Sequence, residues 1–535
     1  MSGILQRIRS LSETIGDRVC YCTRTKKNGE YISESITLLE LEEKSNQLAK
    51  MFSEGAKEKS PVVVFGHKTP FMVISFLGCV KSGRAYVPID CSLPVGRAKD
   101  IIDAINPQFI LMPEEDEQYG NDTIEQVRNI AESLDGCKLI NKEQLTEIFN
   151  SEKVLSNDSL WVKPEDNFYI LFTSGSTGKP KGVQITAACV DNFLEWAVTF
   201  GEGSPLLDGG HHKFINQAPF TFDLSVFDIF MTLYTGGTLY GISKSMQSDL
   251  AVMYDFLGKS DADVWLSTPS FGEIALADEQ FNESLMPNMK LFLFAGESLT
   301  NQTVSKMNVA FPKAEVMNIY GPTEATVVVT GVSVTPKIRD SYNPLPIGIS
   351  KPNTYIYIMD EKGNILPDGE KGEIVIVGDT VSLGYWKNEE KTCEMFDYME
   401  VDGVNYRLYH THDKGYYQDG LIFYCGRIDL QIKLHGYRIE LEDIESNLLK
   451  ADNIERVVVM PDYVGEEIVG ITAYVVPKNP IDSALKERQR LRNSLKKVIP
   501  EYMIPKKFIF RDTLPMTNNG KVDRKKLKEL SDAAD

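Results

Sequence analysis

The residues best suited to chemistry form the stretch TSGSTGKPKG at 173–182, which follows an apolar, strand-like run. Gly175 and Gly178 allow backbone N–H groups to turn inward, and the neighbouring hydroxyl and ammonium groups add donors and positive charge. Together these groups suit the binding of phosphate. On composition alone, a flexible glycine- and serine-rich surface loop is the alternative interpretation.

The spacing of this loop does not match a Walker A loop, which requires G-x-x-x-x-G-K-[ST]. The residue five positions before Gly178 is Thr173 instead of glycine. Lys179 is followed by Pro180, where a Walker A loop has a magnesium-binding hydroxyl. We therefore expect a phosphate loop of a different class from that of the P-loop ATPases.

Composition narrows the function classes. A chain of 535 residues predicts two to four domains. The net charge of −19 disfavours nonspecific binding to nucleic acid or to an anionic membrane. The eight cysteines are sparse and irregularly spaced, which is typical of free thiols in a reducing compartment.

The chain has no segment typical of secretion or membrane insertion. Residues 4–15 have apolar side chains at helical spacing, with charges throughout and no cleavable apolar block after them. The longest apolar run, at 71–80, is about half the ~20 residues that a spanning helix needs. We therefore expect a cytoplasmic protein.

Helix-like and strand-like segments alternate in the first part of the chain. Residues 35–52 and 70–83 have helical patterns, whereas 61–66 and 85–90 read as buried strands. This alternation predicts an α/β fold with mostly parallel strands. Farther along, residues 353–378 read as strands joined by Asp/Gly/Pro turns, which predicts a small antiparallel piece.

Four strand-like segments run directly into loops of small polar residues. They are residues 167–175, 213–220, 263–270 and 290–298. Ligands of open parallel sheets bind outside the carboxyl ends of the strands. These four loops are therefore predicted to form the functional site.

The order S-G-S-T-G-x-P-K-G after a strand resembles the signature loop of the acyl-adenylate-forming, or AMP-binding, enzymes. That family includes the amino-acid adenylation domains of nonribosomal peptide synthetases, the acyl-CoA synthetases and the luciferases. Other segments that resemble the family follow in order at 83–90, 216–228, 318–326, 411–445 and 519–527. The likeness extends over nearly the whole chain.

The resemblance implies a fold and a division into domains. We expect a large N-terminal α/β domain of mostly parallel sheets with a small antiparallel piece, and a small, mobile α+β C-terminal lid. On this chain the domains are residues 1–428 and 429–535, with the hinge at Asp429. The lid is expected to rotate after the first reaction step and to open a channel past 434–438, where Gly436 leaves room for a thiol arm.

The resemblance also implies a reaction that uses ATP and Mg²⁺. A carboxylate attacks the α-phosphate of ATP, and a thiol then displaces AMP. Because the first step brings two anions together, the site must supply positive charge. Glu324 would help to place Mg²⁺, and Lys521 would contact both the substrate carboxylate and the α-phosphate as the catalytic residue. A solvated turn acid and an exposed tail lysine are the alternative interpretations of these two residues.

The family's nucleotide contacts can be carried over to matching positions. Residues 318–323 would wrap adenine and the α-phosphate, with Tyr320 stacked on the base, and Asp413 would bind the ribose hydroxyls. The predicted ATP-binding residues are Thr173, Ser174, Gly175, Ser176, Thr177, Gly178, Lys181, Asn318, Ile319, Tyr320, Gly321, Pro322, Thr323, Asp413, Tyr424, Cys425, Gly426, Arg427 and Lys521.

The chain departs from the family beside the predicted ribose-binding acid. The family usually has glycine there, whereas this chain has His412, and its Cβ is expected to reshape the turn. His410 and His412 are spaced like a metal pair. No Cys/His cluster accompanies them in the sequence, so a solvated or packing role is preferred.

Asp223 decides which class of acid the site would activate. In members that activate amino acids, an acid at this position pairs with the substrate ammonium, whereas fatty-acyl-activating members generally lack it. The alternative interpretation is a helix N-cap. The predicted substrate-binding residues are Asp223, Leu224, Phe227, Ser267, Leu293, Ala295, Ile319, Val327, Val328 and Lys521, and their apolar character suits a small or medium uncharged side chain.

Within the family, the chain resembles most the free-standing ligases that charge a carrier protein with D-alanine for teichoic acid D-alanylation. We therefore expect ATP-dependent activation of a small amino acid, D-alanine first. Transfer to the phosphopantetheine thiol of a separate carrier protein would follow, since no carrier module follows Lys521. Ala295 is smaller than the residue common in that subgroup, which leaves room for a larger amino acid.

Three alternatives remain open at the level of sequence. They are an adenylation domain for another small or medium uncharged amino acid, an acyl-CoA synthetase, and a catalytically silent scaffold that binds nucleotide or carrier.

Overall fold

The fold was analysed in a computed structural model, which describes residues 3–27, 29–55, 59–113, 121–175, 178–464, 467–516 and 522–532. The chain divides into two compact units. The large unit comprises Met1–Ser92, Ile102–Phe172 and Gly182–Ile428. The small unit comprises Leu93–Ile101, Thr173–Lys181 and Asp429–Asp535.

Helices and strands alternate along much of the chain. The helices are α1 Gly3–Ile15, α2 Leu38–Gly55, α3 Pro70–Lys81, α4 Val95–Ile105, α5 Asn121–Ser133, α6 Lys142–Phe149, α7 Ala187–Ala197, α8 Leu224–Thr235, α9 Lys244–Gln247, α10 Leu250–Ser260, α11 Pro269–Leu276, α12 Asn301–Ala310, α13 Pro336–Ser341, α14 Glu389–Met395, α15 Leu441–Leu449, α16 Ala484–Leu495 and α17 Arg524–Asp532. The strands are β1 Val19–Lys27, β2 Glu30–Thr37, β3 Val62–Gly66, β4 Tyr86–Asp90, β5 Phe109–Met112, β6 Lys138–Asn141, β7 Asn167–Thr173, β8 Lys181–Thr186, β9 Lys213–Asn216, β10 Thr238–Gly241, β11 Val264–Ser267, β12 Leu291–Phe294, β13 Glu315–Tyr320, β14 Thr330–Ser333, β15 Ile349–Ser350, β16 Thr354–Met359, β17 Gly372–Gly378, β18 Phe396–Val401, β19 Val404–Gln418, β20 Leu421–Arg427, β21 Gln431–Leu434, β22 Tyr437–Glu440, β23 Ile454–Val464, β24 Glu467–Pro477 and β25 Lys507–Phe510.

The first sheet of the large unit has six strands in the order β6-β5-β3-β4-β7-β8. The pairs from β6 to β7 are parallel. Both β3 and β4 are buried along their whole length, as expected of apolar strands covered on both faces. Between them, α3 begins at Pro70, whose fixed backbone torsion suits the first turn of a helix.

The second sheet of the large unit has nine strands in the order β15-β14-β13-β12-β11-β9-β10-β1-β2. The six central strands from β13 to β1 are parallel, and the outer strands β2, β14 and β15 pair antiparallel. The carboxyl ends of β9, β11, β12 and β13 therefore lie at one edge of this sheet. The fourth loop predicted to form the site follows β7, which is a strand of the six-stranded sheet.

A third sheet of the large unit is antiparallel and contains β16 to β20. It includes the segment at 353–378 that the sequence predicts to be antiparallel. The long strand β19 carries Asp413, and β20 ends at Arg427. This sheet therefore supplies two of the predicted nucleotide contacts.

The small unit has an α+β architecture after Asp429. The hairpin β21–β22 precedes a three-stranded sheet in the order β23-β24-β25. Its core packs Ile444 and Leu448 of α15 with Leu491 and Leu495 of α16, all fully buried. This arrangement, with the mostly parallel sheets of the large unit, confirms the predicted fold class. The hinge and the mobility of the lid stay predictions.

Helix α2 starts later than the sequence pattern predicts. The helix predicted at 35–52 begins only at Leu38, because residues 30–37 form β2 against β1. Thr37 and Glu40 then cap this helix through reciprocal bonds, Thr37 N–H to Glu40 Oε2 and Glu40 N–H to Thr37 Oγ1.

Among the described helices, none combines the length and apolar character that a bilayer crossing requires.

Candidate active site

The predicted substrate pocket is built at the ends of adjacent parallel strands. In register, Ser267 of β11 pairs with Phe294 of β12, which pairs with Asn318 of β13. Ala295 follows β12 and donates its N–H to the carbonyl of Ser267 over 3.1 Å. The predicted apolar wall residues are all buried, namely Leu224, Phe227, Leu293, Ala295, Ile319, Val327 and Val328.

Asp223 lies at the N-terminus of α8 but does not cap it through its side chain. It occupies the N-cap position, yet it makes no side-chain bond to the backbone of the first turn. Instead its Oδ2 accepts a hydrogen bond of 2.7 Å from the hydroxyl of Thr323. The N-cap interpretation is therefore wrong for the side chain, and the carboxylate is directed to the segment predicted to wrap the nucleotide.

The segment after Thr323 is strained. Thr326 and Val327 have positive φ angles of 65° and 67°, a conformation that is rare for β-branched residues. Thr326 Oγ1 donates to the carbonyl of Thr380 over 2.8 Å, which helps to hold it. A Cβ on Gly321 would lie only 2.4 Å from Cα of Val328. Neighbouring residues therefore hold this wall of the pocket in its strained conformation, as is usual for strained segments at functional sites.

Asp413 is held from two sides inside the large unit. Its Oδ2 accepts from the hydroxyl of Tyr320 over 2.6 Å, and its Oδ1 pairs with Nη1 of Arg427 at 2.6 Å. Burial and the nearby Asp413 charge raise the pKa of Tyr320 well above its usual value, so the phenol stays protonated and donates. Three predicted nucleotide residues therefore form one bonded group.

Other predicted nucleotide residues lie on β20, and Asn318 lies on β13. The rings of Tyr424 and Tyr320 have centroids 6.2 Å apart and planes tilted by 35°. Burial raises the pKa of the half-buried Cys425 thiol. Gly426 has a φ of 104°, which only glycine adopts readily. Asn318 uses its side-chain amide internally, donating to the carbonyl of Pro346 over 2.8 Å.

His412 keeps the backbone conformation that suits glycine. Its φ is 56°, so the turn has the left-handed geometry despite the Cβ. Whether this turn differs from the glycine turn of the family stays a prediction. The turn is held by Glu373, whose Oε1 accepts from the His412 N–H over 2.8 Å and whose Oε2 lies 3.0 Å from Nδ1 of His410.

Glu373 was not predicted from the sequence. It faces β19 from β17, at an irregularity in the register between these strands. The contact of Glu373 with His410 gives that imidazole a packing role. In the described part of the chain, no group of three or more His, Cys, Asp or Glu side chains could hold a metal ion. Burial alone raises the pKa of Glu373, but the hydrogen bonds from His410 and the His412 N–H lower it overall.

Glu324 is fully buried in a 3-10 turn at Thr323–Ala325. Its Oε1 accepts from the hydroxyl of Tyr385 over 2.8 Å, and its carbonyl accepts from the N–H of Ser382 over 2.8 Å. The alternative of a solvated turn acid is therefore wrong. One fixed carboxylate fits Mg²⁺ that is bound mainly through phosphate oxygens and water.

The phosphate loop lies partly outside the described residues, since Ser176 and Thr177 belong to the undescribed part. Lys521 also lies outside. In the small unit, the Ser174 hydroxyl donates to the carbonyl of Arg438 over 3.0 Å, and Lys181 Nζ lies 3.3 Å from Glu440 Oε1.

The described part of this loop is closely folded. A Cβ on Gly175 would meet the carbonyl oxygen of Lys179 at 2.2 Å, so glycine is required there. Gly178, with φ of 77°, donates its N–H back to the carbonyl of Gly175 over 3.0 Å. The Thr173 hydroxyl is buried and has no partner among the described residues. Such a compact turn with a spare hydroxyl fits an anion-binding loop.

Comparison with protein families gives two matches. The family described as AMP-binding enzyme matches residues 14–386, and its C-terminal domain matches residues 443–521. The chain belongs to the AMP-binding enzyme family.

Curated relatives of this AMP-binding enzyme are similar over nearly the full length. A protein of Bacillus cereus strain B4264 named D-alanine–D-alanyl carrier protein ligase is 44% identical over 527 residues, covering 98% of both chains. Proteins of the same name from Bacillus mycoides strain KBAB4 and Bacillus thuringiensis strain Al Hakam are 44% and 43% identical over the same length.

Solved structures support the fold of this AMP-binding enzyme. The Vibrio cholerae adenylation domain AlmE, solved with glycyl-adenosine-5′-phosphate, matches with a TM-score of 0.80 at 20% identity and covers 99% of this chain and 98% of its own. An artificially fused adenylation–PCP di-domain from Klebsiella oxytoca matches with a TM-score of 0.78 at 21% identity, covering 94% and 93%. At this identity the likeness concerns the fold alone.

The structure of this AMP-binding enzyme thus brings together two parts of the predicted site. Asp223, Thr323 and the strand-end wall residues form one part, and Tyr320, Asp413 and Arg427 form the other. Sequence reasoning missed Glu373 and Tyr385, which hold Asp413's turn and Glu324. Because both partners are distant in sequence, no local pattern could have pointed to them.

Proposed function

We propose that this enzyme is a D-alanine–carrier protein ligase. It forms D-alanyl-AMP from D-alanine and ATP with release of pyrophosphate, and then transfers the alanyl group to the phosphopantetheine thiol of a separate carrier protein. The observation that carries the proposal is the hydrogen bond from Thr323 to Asp223, which leaves that carboxylate out of helix capping and beside the nucleotide segment. The names of the 43–44% identical relatives support the same activity.

The amino acid is recognised through its ammonium group. A carboxylate at the rim of an apolar pocket is poorly solvated, so a cationic partner stabilises it more than a neutral one does. Asp223 supplies this charge, and Thr323 orients it by occupying Oδ2. The methyl group then faces the buried wall of Leu293, Ala295 and Ile319.

ATP is bound by the predicted nucleotide residues. Asp413, oriented by Tyr320 and Arg427, accepts the ribose hydroxyls, and the aromatic face of Tyr320 supports the base. The 173–182 loop holds the β- and γ-phosphates, so it binds the departing pyrophosphate and not a phosphate that is to be hydrolysed. Mg²⁺ near Glu324 would neutralise the phosphate oxygens.

Lys521 completes the charge balance of the first step. As an ammonium it draws the amino-acid carboxylate and the α-phosphate together, where two anions would otherwise repel. Residues 429–535 then turn about Asp429 as a lid, which withdraws Lys521 and admits the carrier thiol past Gly436. The thiol attacks the carbonyl carbon, the thioester forms, and AMP leaves.

The small side chain of Ala295 favours a second candidate substrate. Because alanine forms a small wall beside Ser267, a medium-sized uncharged amino acid is the alternative. The Ser267 hydroxyl is buried and has no partner among the described residues, so it is available to a substrate group.

A cytoplasmic location is part of the proposal. The reaction consumes ATP, and all eight cysteines have free thiols, which supports a reducing compartment.

The test is amino-acid-dependent exchange of pyrophosphate into ATP. D- and L-alanine, serine, valine and leucine are compared, followed by loading of a phosphopantetheinylated carrier protein and, separately, of coenzyme A. D-alanine with the carrier is expected to give the highest kcat/KM. Absence of exchange with every amino acid would refute the proposal, and preference for coenzyme A would favour an acyl-CoA synthetase.

A further inference from the structure

Lys68 is a buried lysine in the loop between β3 and α3. Its side chain is only 1% exposed. Its Nζ donates to the carbonyl oxygens of Asn216 over 3.1 Å and of Gln217 over 2.7 Å. Lys68 is not among the residues that the sequence predicts to bind substrate or nucleotide. A buried cation without a role is unusual.

The two carbonyls that Lys68 binds lie at a functionally important position. Asn216 is the last residue of β9, and the chain runs from Gln217 to Asp223, where α8 begins. Lys68 therefore holds the start of the segment that delivers the ammonium-binding carboxylate.

The end of this segment is tied to the same cluster. The Asn216 side-chain amide donates to the carbonyl of Ala218 over 3.0 Å and to Oδ2 of Asp228 over 2.8 Å. Asp228 lies on α8, one turn and a half beyond Asp223. Lys68 and Asn216 thus connect β9, the loop and the helix into one rigid support.

The ionisable groups of this cluster are buried, and burial shifts their pKa values. Burial lowers the pKa of Lys68 to about 7, although the charges of Asp228 and Asp90 oppose that shift. Burial raises the pKa of Asp228 well above its usual value, and the Asn216 amide and the Lys68 charge oppose that rise.

The remaining partner of the cluster is an ion-pairing carboxylate. The Asp90 carboxylate accepts from Nδ1 of His67 over 2.7 Å, and Nε2 of His67 accepts the Lys244 N–H over 3.0 Å. The negative charge of Asp90 raises the pKa of Lys68 and so favours its ammonium form.

We propose that Lys68 is a positioning residue for amino-acid recognition: its bonds to the carbonyls of Asn216 and Gln217 set the place of Asp223 relative to the pocket. This inference rests on the proposed function. Removing the ammonium takes one donor from each carbonyl. The Asn216 carbonyl keeps the Ile242 N–H over 2.8 Å, and the Gln217 carbonyl keeps the Gln247 side-chain amide over 3.3 Å. The loss of the Lys68 bonds loosens the loop and shifts Asp223. The effect falls mainly on the amino acid, because Asp413 and Tyr320, the proposed ribose and base contacts, are held by other partners.

Lys81 provides a matched control. It is also a lysine only 1% exposed, and its Nζ contacts Glu42 at 2.6 Å, Ser45 at 2.7 Å and Asn46 at 2.9 Å. These contacts join α3 to α2, neither of which supplies a predicted site residue. Lys81→Met therefore removes a buried ammonium without touching the support of Asp223.

The experiment measures pyrophosphate exchange of full-length Lys68→Met, Lys68→Gln and Lys81→Met. Lys68→Met is expected to raise the KM for D-alanine on the order of 10-fold and to leave the KM for ATP within about twofold. Lys68→Gln keeps an N–H donor and is expected to restore part of the loss. Folded Lys81→Met is expected to keep both KM values.

A double substitution tests whether Lys68 acts through Asp223. If it does, Lys68→Met adds little to the KM for D-alanine in an Asp223→Asn background, so the two effects are not additive. Additive effects, equal changes in both KM values, or failure of both Lys68 variants to fold would overturn the proposal. Absence of amino-acid-dependent exchange in the unmodified enzyme would instead refute the proposed function itself.

Discussion

The hydroxyl of Thr323 donates a hydrogen bond of 2.7 Å to the carboxylate of Asp223, joining two segments 100 residues apart. One segment begins α8 beside the substrate pocket, and the other continues from the strand that carries Tyr320. The contact links amino-acid recognition to the nucleotide segment. A buried or half-buried hydrogen bond to a charged group contributes about 1.5–3 kcal/mol.

Asp223→Asn is expected to raise the KM for D-alanine by about 100-fold, because the amide cannot form an ion pair with the substrate ammonium. Thr323→Val is expected to have a smaller effect of about 10-fold, since the carboxylate remains but loses its orientation. Pyrophosphate exchange measures both. Thr146→Val, which removes an exposed hydroxyl on α6, is the control and should be unchanged; a loss of the same size there would contradict the assignment.

Lys521→Ala is expected to lower the rate of exchange by about 100- to 1000-fold, because no other proposed group links the two anions. ATP binding, measured by calorimetry, should persist through the loop and Asp413. Lys525→Ala, at an exposed position of α17 close by in sequence, is the matched control. An unchanged exchange rate for Lys521→Ala would favour a catalytically silent scaffold.

Replacing His412 separates its backbone from its side chain. His412→Ala removes the imidazole but keeps the Cβ at φ of 56°, whereas His412→Gly also removes the strain. The glycine variant is therefore expected to be more stable than the alanine variant by about 1 kcal/mol. Chemical denaturation followed at the transition of the large unit measures this difference, and equal stabilities would show that the turn is unstrained.

The Glu373–His410 contact predicts a pH dependence of nucleotide binding. The hydrogen bond to Glu373 raises the pKa of His410, so the ionic form of this pair is present at lower pH and is lost as pH rises through that raised value. Because the pKa of Glu373 is lowered overall, the pair also weakens when pH falls through that lowered value. The turn of Asp413 is then held best between the two.

We therefore expect the KM for ATP to rise as pH increases above the His410 pKa. His410→Gln cannot carry a charge and should lack this component. The KM values of both proteins, measured from about pH 5.5 to 9, provide the comparison. Identical profiles would rule out a contribution of the pair.

Ala295→Cys is expected to narrow the substrate range. One added heavy atom at the pocket wall should lower kcat/KM for valine and leucine by about 10-fold or more while sparing alanine. The variant Ala277→Cys, exposed just after α11, controls for the thiol itself. A uniform loss across all amino acids would indicate that Ala295 does not line the pocket.

The fold class and the residues that carry charge could be predicted from the sequence because both depend on local patterns. Strands β3 and β4 and helix α3 follow directly from apolar runs and from Pro70. The start of α2 was predicted too early, since β2 forms only through its pairing with β1.

The partners of the predicted residues could not be predicted. Glu373 and Lys68 act on segments 39 and 148 residues away, respectively. Their side-chain types alone indicate surface residues, and only the folded sheet places them at the turn of Asp413 and at the end of β9. The strain at Val327 is equally invisible in a sequence, because valine is a typical strand residue.

The register of β11, β12 and β13 has a consequence for how such an enzyme evolves. Ser267 ends β11, Ala295 directly follows β12 and Ile319 is the penultimate residue of β13, and the bodies of these strands are buried. A substitution at Ser267 or Ala295 therefore alters one wall of the pocket and leaves the nucleotide contacts of Tyr320, Asp413 and Arg427 in place. Substrate preference can drift stepwise among descendants of a common ancestor while the energy-consuming half of the reaction is inherited intact.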